Sequence, residues 1–145
     1  MNRFGLKFHH FGLAVRKPET AFLYLEALGY GAGPSMFDPL QNVNLAMRYH
    51  AQMPAVEVIW PADGPSPIDN LVKRGGTMIY HLCYTAEDPA ASVAAMEAAG
   101  FSVFPVSPAK PAILFGGLEV SFHSVLDFGL IEIIRGEPDG KAARI

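Results

Sequence analysis

The segment FHHFGLAV at residues 8–15 and the segment IYHLCY at residues 79–84 decide the predicted fold. Both are short, rich in aromatic and aliphatic residues and carry a histidine near the middle, which is typical of a β-strand. The two histidines, His10 and His81, are 71 residues apart. Three further pairs of similar residues have the same separation: Pro18 and Pro89, Leu25 and Met96, and Gly29 and Gly100. A constant separation over four pairs indicates an internal repeat.

Each copy of the repeat has the same predicted order of elements. The strand is followed by a helix with a proline in its first turn and a glycine at its end. Three short apolar stretches then follow, and the last of them, VEVI at 56–59 and IEII at 131–134, match at a separation of 75 residues. The sequence therefore predicts an α+β fold built from two βαβββ modules.

The boundaries follow from the composition of the connecting segments. Residues 61–67 hold three prolines and a glycine, and residues 136–145 are largely polar. A second proline-rich stretch, residues 105–111, is predicted to be a loop. We predict a single domain over residues 1–145, divided into a first module at 8–60, a linker at 61–78, a second module at 79–135 and a tail at 136–145.

Composition excludes several classes of protein. Half of the 145 residues are hydrophobic, which excludes disorder, and a net charge of −3 argues against a nucleic-acid-binding protein. One cysteine excludes a disulfide framework and a Cys-rich zinc module. No apolar run has the roughly 20 residues that cross a bilayer, and no signal peptide is recognised. We predict a cytoplasmic protein with no membrane partner.

Four polar residues lie in the middle of strands that are otherwise apolar: His10, Glu57, His81 and Glu132. They form two equivalent pairs under the repeat. If the modules face each other across a pseudo-two-fold axis, two imidazoles and two carboxylates meet, and a divalent cation would offset the cost of burying the carboxylates. Co, Ni, Mn, Zn and Fe(II) all suit such ligands. Each residue taken alone has a simpler interpretation, a hydrogen-bonded core histidine or a solvent-facing glutamate.

The same strands resemble those of the vicinal oxygen chelate superfamily, which includes glyoxalase I, methylmalonyl-CoA epimerase, extradiol dioxygenases and bleomycin resistance proteins. HHFGLAV at 9–15 is similar to the family's DHIGIAV, YHLCY at 80–84 to HHIAF, and LIEI at 130–133 to LIEL. VEVIWP at 56–61, followed by SPI at 66–68, is similar to the epimerase branch's ELLxP…SPI.

The resemblance implies a cupped mixed sheet around one divalent metal ion, with His10, Glu57, His81 and Glu132 as ligands. It also implies an enolate-forming isomerase or lyase that acts on a small acyl or oxo substrate, such as an acyl-CoA thioester. Glu132 is the first candidate for the catalytic base and Glu57 the second. Asn44 stands where the resemblance places the epimerases' other base, and an amide cannot usefully accept a proton.

Weaker candidates complete the predicted site. Asn44, Arg48, Ser121 and His123 are predicted substrate contacts, although polar strand residues are more often solvated or hydrogen-bonded. Cys83 shares a strand face with His81 and is expected to be a buried, inert thiol. The exposed side of a cupped sheet favours a homodimer, and proteins of the family that this chain resembles often form dimers.

Two other functions remain open at this point. An extradiol-type dioxygenase would use two histidines and one glutamate on Fe(II), and the fourth residue, Glu57, argues against it. A metal-free protein that binds or sequesters a small molecule, like the bleomycin resistance members, would generally lack the ligand set. Metal content therefore discriminates between an enzyme and a binding protein.

Overall fold

The chain folds into two compact units, each of which contains one copy of the repeat. The computed structural model describes residues 2–75 and 77–138. We call residues 10–80 the first module, and residues 81–138 together with residues 2–9 the second module. None of the described helices is both long and apolar enough to span a membrane.

The first module has the predicted order of elements. Strand β1 (Lys7–Ala14), whose first three residues belong to the second module, is followed by helix α1 (Glu19–Ala27). The next strands are β2 (Met36–Asp38), β3 (Val43–Arg48) and β4 (Ala55–Pro61), and helix α2 (Asp69–Gly75) ends the module. The strand order is β2-β3-β4-β1, and only the β4–β1 pairing is parallel. The predicted α+β character is confirmed.

The second module repeats this topology. Strand β5 (Met78–Ala86), which begins three residues before the module's boundary, leads into α3 (Pro89–Ala98) and β6 (Val103–Pro111). A 3₁₀ turn (Ile113–Phe115) precedes β7 (Glu119–Val125) and β8 (Gly129–Arg135). The strand order is β5-β8-β7-β6, and only the β5–β8 pairing is parallel.

The helix ends follow from local sequence. The Asp88 side chain caps α3 by accepting a hydrogen bond from the Ala91 N–H at 3.2 Å. Gly29 and Gly100 follow the C-terminal ends of α1 and α3 with φ angles of +96° and +94°. These left-handed conformations favour glycine, so the two glycines terminate the helices as the repeat predicts.

One predicted loop is a strand. Residues 105–111 belong to β6, which pairs with β7 through two register shifts, between Pro105 and Ser107 and between Ser107 and Lys110. Because β6 is the last strand in the order of its module, its prolines interrupt pairing on one side only. The prediction of a loop was wrong because prolines are tolerated at a sheet edge.

In each module one face of the sheet packs against a helix. Helix α1 covers Val56 and Val58 of β4, and α3 covers Ile131 and Ile133 of β8. We call this the helix face and the opposite face the site face. Side chains alternate along a strand, so Glu57 and Glu132 point to the site faces. The buried residues of the two cores are Val15, Leu25, Tyr30, Val56 and Val58 in the first module, and Ala86, Met96, Val103, Ile131 and Ile133 in the second.

Candidate metal centre

The first module brings His10 and Glu57 together on its site face. The parallel β1–β4 register places Gly12 opposite Glu57, and His10 lies two residues before Gly12 on the same face. His10 Nε2 lies 3.8 Å from Glu57 Oε1. The two residues are 0% and 3% exposed, so this pair is removed from solvent.

The second module contains the equivalent pair. The parallel β5–β8 register places Cys83 opposite Glu132, and His81 lies two residues before Cys83. His81 Nε2 lies 3.8 Å from Glu132 Oε2, and both residues are buried. The repeat therefore preserves a three-dimensional arrangement of an imidazole and a carboxylate as well as a sequence pattern.

Two neighbours constrain the second pair. The Cys83 thiol donates to Glu132 Oε1 at 3.2 Å, and Cys83 is fully buried. The Phe122 ring packs edge-to-face on the His81 imidazole, with 5.3 Å between ring centroids and 82° between planes. Phe122 pairs with Glu132 across β7 and β8, which places it on the same face. The thiol and the ring restrict the orientations of the two candidate ligands.

A tyrosine lies near the first pair. Tyr49 immediately follows β3, and burial raises the pKa of its phenol, with a smaller contribution from the negative charge of Glu57. The phenol consequently remains protonated at neutral pH and is available as a hydrogen-bond donor. Tyr49 was not predicted as a site residue, since its approach to Glu57 depends on where the chain leaves β3.

Buried carboxylates need compensation. An ionised carboxylate transferred from water to a protein interior loses several kcal/mol of solvation, unless charge or hydrogen bonds replace the water. Each pair offers one imidazole nitrogen and carboxylate oxygens, which are borderline and hard donors that first-row divalent cations accept. The donor chemistry of each module thus fits half of the predicted ligand set.

The four predicted substrate contacts lie on the helix faces. Asn44 pairs with Trp60 and Arg48 with Val56 across β3 and β4, and both partners point toward α1. Ser121 pairs with Ile133 and His123 with Ile131 across β7 and β8, facing α3. The structure does not bring these four residues to the His–Glu pairs, because a shift of one residue along a strand moves a side chain to the opposite face.

The structure gives Arg48 a structural role instead. Its guanidinium lies 4.1 Å from the centroid of the Phe22 ring, and Nη1 donates to the carbonyl oxygens of Met47 at 2.9 Å and Gly33 at 3.2 Å. Burial lowers the pKa of Arg48, although an arginine remains protonated in proteins. Arg48 therefore links the segment before β2 to the end of β3 through hydrogen bonds to backbone carbonyls.

The position of Asn44 also corrects the predicted second base. The β3 residues on the site face are Val43, Leu45 and Met47, with Met47 directly opposite Glu57. All six residues of β3 are described, and none of its site-face side chains can accept a proton. Asn44 is consequently not a substituted base at the candidate centre.

Comparison with known proteins identifies the family. The model of the Glyoxalase/Bleomycin resistance protein/Dioxygenase superfamily matches residues 9–122. The chain belongs to this superfamily, as the resemblance of its strands predicts. Comparison with curated proteins found no match.

Solved structures show the same fold. Methylmalonyl-CoA epimerase from Mycobacterium tuberculosis is 19% identical with a TM-score of 0.77, covering 99% of this chain and 97% of that one. A hypothetical protein from Bacillus halodurans C-125 is 20% identical with a TM-score of 0.76, covering 91% and 95%. A substituted Streptomyces coelicolor methylmalonyl-CoA epimerase in complex with 2-nitronate-propionyl-CoA is 17% identical with a TM-score of 0.67, covering 88% and 95%. At these identities the likeness concerns the fold alone.

Proposed function

We propose that the chain is a divalent-metal-dependent isomerase or lyase that forms an enolate from a small acyl or oxo substrate. Its metal ligands would be His10, Glu57, His81 and Glu132. The observation that carries the proposal is the duplicated, buried His–Glu pair, at 3.8 Å in each module. Burying an imidazole and a carboxylate costs solvation free energy in each module. Metal binding would offset this cost in both modules.

A divalent ion held by these residues would supply Lewis acidity toward a substrate oxygen. The protein's own contribution is to remove a proton from the carbon beside that oxygen. Glu132 is the first candidate for this base, because the Cys83 thiol holds one of its oxygens in a defined orientation at 3.2 Å. A carboxylate with a fixed orientation loses less entropy when it approaches a substrate proton.

Glu57 is the second candidate base. It faces Met47 across β3 and lies near the Tyr49 phenol, which can donate a hydrogen bond. Because β3 supplies no base on the site face, Glu57 is the candidate to act together with Glu132 in a reaction that needs proton transfer on both sides of a carbon. A reaction in which one carboxylate removes and returns the proton needs Glu132 only. The arrangement favours the one-base reaction.

The finer details of the substrate and setting stay predictions. Related structures include methylmalonyl-CoA epimerase in complex with methylmalonyl-CoA, which supports an acyl-CoA thioester as a test substrate. The homodimer and the cytoplasmic location rest on the sequence analysis alone.

Metal content tests the proposal first. Purified protein, prepared without chelator and then reconstituted with Mn, Co, Ni, Zn or Fe(II), should bind about one ion per chain by mass spectrometry. His81→Ala should lose this ion, whereas His123→Ala, which removes a strand histidine on the helix face, should keep it. Full metal occupancy in His81→Ala would overturn the ligand assignment.

The second measurement concerns the reaction. The metal-loaded protein should exchange the α-proton of an acyl-CoA or a 2-oxo-aldehyde with deuterated solvent, and Glu132→Gln should lose this exchange. Metal binding without exchange would favour another reaction of the superfamily. Failure to bind any of the ions would favour a metal-free small-molecule binding protein.

A further inference from the structure

The two modules fill the space between helix and sheet differently. In the first module the rings of Phe22 and Trp60 pack edge-to-face, with centroids 5.6 Å apart. The Arg48 guanidinium covers the Phe22 ring at 4.1 Å. Large side chains from α1, β3 and β4 thus occupy this interface.

The repeat replaces all three of these residues in the second module. Phe22 corresponds to Val93 at the separation of 71, while Arg48 and Trp60 correspond to His123 and Arg135 at the separation of 75. The structure supports the second separation, since Met47 lies opposite Glu57 and Phe122 opposite Glu132. A cavity of about 460 Å³ opens between α3 and strands β6–β8. We call it the α3 cavity.

The size and walls of the α3 cavity suit a small organic molecule. Its volume lies in the range of about 300–1,000 Å³ that is typical of ligand pockets. Apolar groups of Val93, Ala94, Pro105 and Ile133 line much of it. The first module serves as an internal reference, because its corresponding positions hold the bulkier Phe22, Arg48 and Trp60, which pack against one another.

Polar groups lie at defined places in the cavity. The Ser121 hydroxyl and His123 Nε2 are 3.0 Å apart, and His123 Nδ1 is buried with no hydrogen-bond partner among the described residues. Burial lowers the pKa of His123, so its imidazole is neutral at pH 7. The histidine therefore adds hydrogen-bonding capacity without adding positive charge.

The charges around the cavity are mainly negative. Asp88, Glu97 and Glu119 line it, and among the lining residues within 2–75 and 77–138 the basic side chain is Arg135. Arg135 Nη1 lies 3.7 Å from Glu119 Oε2 and so offsets that carboxylate. Among the described lining carboxylates, Asp88 caps α3 and Glu119 pairs with Arg135, so Glu97 is the one that favours a nearby cation over an anion.

We propose that the α3 cavity is a second ligand site, on the helix face of the second module, for a small organic cation with an apolar body and an amine. The apolar part fills the space that corresponds to Phe22 and Trp60 of the first module, and the amine lies at the carboxylate of Glu97. This site does not depend on the proposed metal chemistry, because it lies on the opposite face of the sheet from His81 and Glu132.

Binding of 2-phenylethylamine tests the proposal, with phenylacetate as a probe of similar shape and opposite charge. Titration of ¹⁵N-labelled protein should give saturable NMR shifts at His123, Ser121 and α3, and phenylacetate should bind roughly tenfold more weakly. Glu97→Gln should weaken the binding of 2-phenylethylamine several-fold. Equal binding of the two probes, or no saturable shift at these residues, would overturn the proposal.

Refilling the cavity gives an independent test. Val93→Phe restores the residue that the first module has at this position, and should weaken amine binding by more than about tenfold. Ala91→Phe adds the same bulk at an exposed α3 position outside the lining and should bind as the unsubstituted chain does. If Val93→Phe fails to fold, Arg135→Trp, which copies Trp60 of β4, replaces it. Unchanged amine binding in the folded cavity-filling variant would contradict the assignment.

Discussion

The Cys83 thiol and the Glu132 carboxylate are 3.2 Å apart in the buried interior of the second module. In the first module Gly12 occupies the equivalent position opposite Glu57. The repeat is therefore asymmetric at the candidate centre, since one glutamate has a thiol donor directly opposite it and the other has a glycine. This asymmetry is the reason for proposing Glu132 before Glu57 as the base.

Removal of the thiol should weaken the proposed catalysis without loss of the fold. A hydrogen bond to a carboxylate from a weak donor contributes about 1 kcal/mol, which corresponds to roughly fivefold in rate. We expect Cys83→Ala to slow α-proton exchange by this factor, whereas Cys83→Ser, which keeps a donor, should retain most of the rate. Equal rates in the two variants would show that the thiol serves packing only.

Arg48 should contribute to stability and leave the metal unaffected. Arg48→Met keeps the apolar stem but removes the donors to the Met47 and Gly33 carbonyls and the contact with Phe22. We expect a loss of about 2–3 kcal/mol in the free energy of unfolding by urea denaturation. The control, Arg135→Met, removes an exposed ion pair and should cost less than about 1 kcal/mol. A change in metal content of Arg48→Met would contradict its position on the helix face.

Asn44 provides a test of strand register. Asn44→Glu introduces a carboxylate, but the β3–β4 pairing directs this side chain toward α1 with Trp60. We expect no gain in α-proton exchange and no change in metal content, measured as for the unsubstituted chain. A substantial rise in exchange would mean that residue 44 reaches the site face.

The pKa of His123 makes part of the stability pH-dependent. Burial holds this pKa below the ordinary value of 6.5. As pH falls through 6.5, the unfolded chain binds a proton at His123 before the folded chain does. The contribution of neutral His123 to the free energy of unfolding is therefore fully present above pH 6.5, and it is lost as pH falls toward the folded-state pKa.

The measurement compares the unsubstituted chain with His123→Gln. The free energy of unfolding of the unsubstituted chain minus that of His123→Gln should be larger near pH 8 than near pH 5. Asp88, Glu97, Glu119 and Arg135 line the same cavity and are common to both proteins, so their titration largely cancels. A difference that does not change with pH would contradict the effect of burial on the histidine.

The repeat was the part of the structure that the sequence predicted best. Matched prolines, glycines and strand histidines predicted both βαβββ modules, since these residues act locally on helix ends and strand patterns. The burial of His10, Glu57, His81 and Glu132 also agrees with their places in apolar strands.

The side-chain direction of weaker candidates was not predictable in the same way. Asn44, Arg48, Ser121 and His123 are polar residues in strands with two buried faces, so polarity does not indicate which face they occupy. Pairing register decides that, and register depends on contacts with distant strands. The prolines of β6 led to the prediction of a loop. They are compatible with a strand because β6 is the last strand in the order of its module.

The different helix faces of the two modules bear on the history of the chain. A duplicated unit carries two versions of its own sequence, and comparison of the two separates what both copies retain from what each has changed. Here the histidine and glutamate of the site face are retained, while an aromatic interface in one copy corresponds to a cavity lined by acidic residues in the other. A duplicated unit can thus keep one residue pair in both copies while the opposite faces of the two copies diverge.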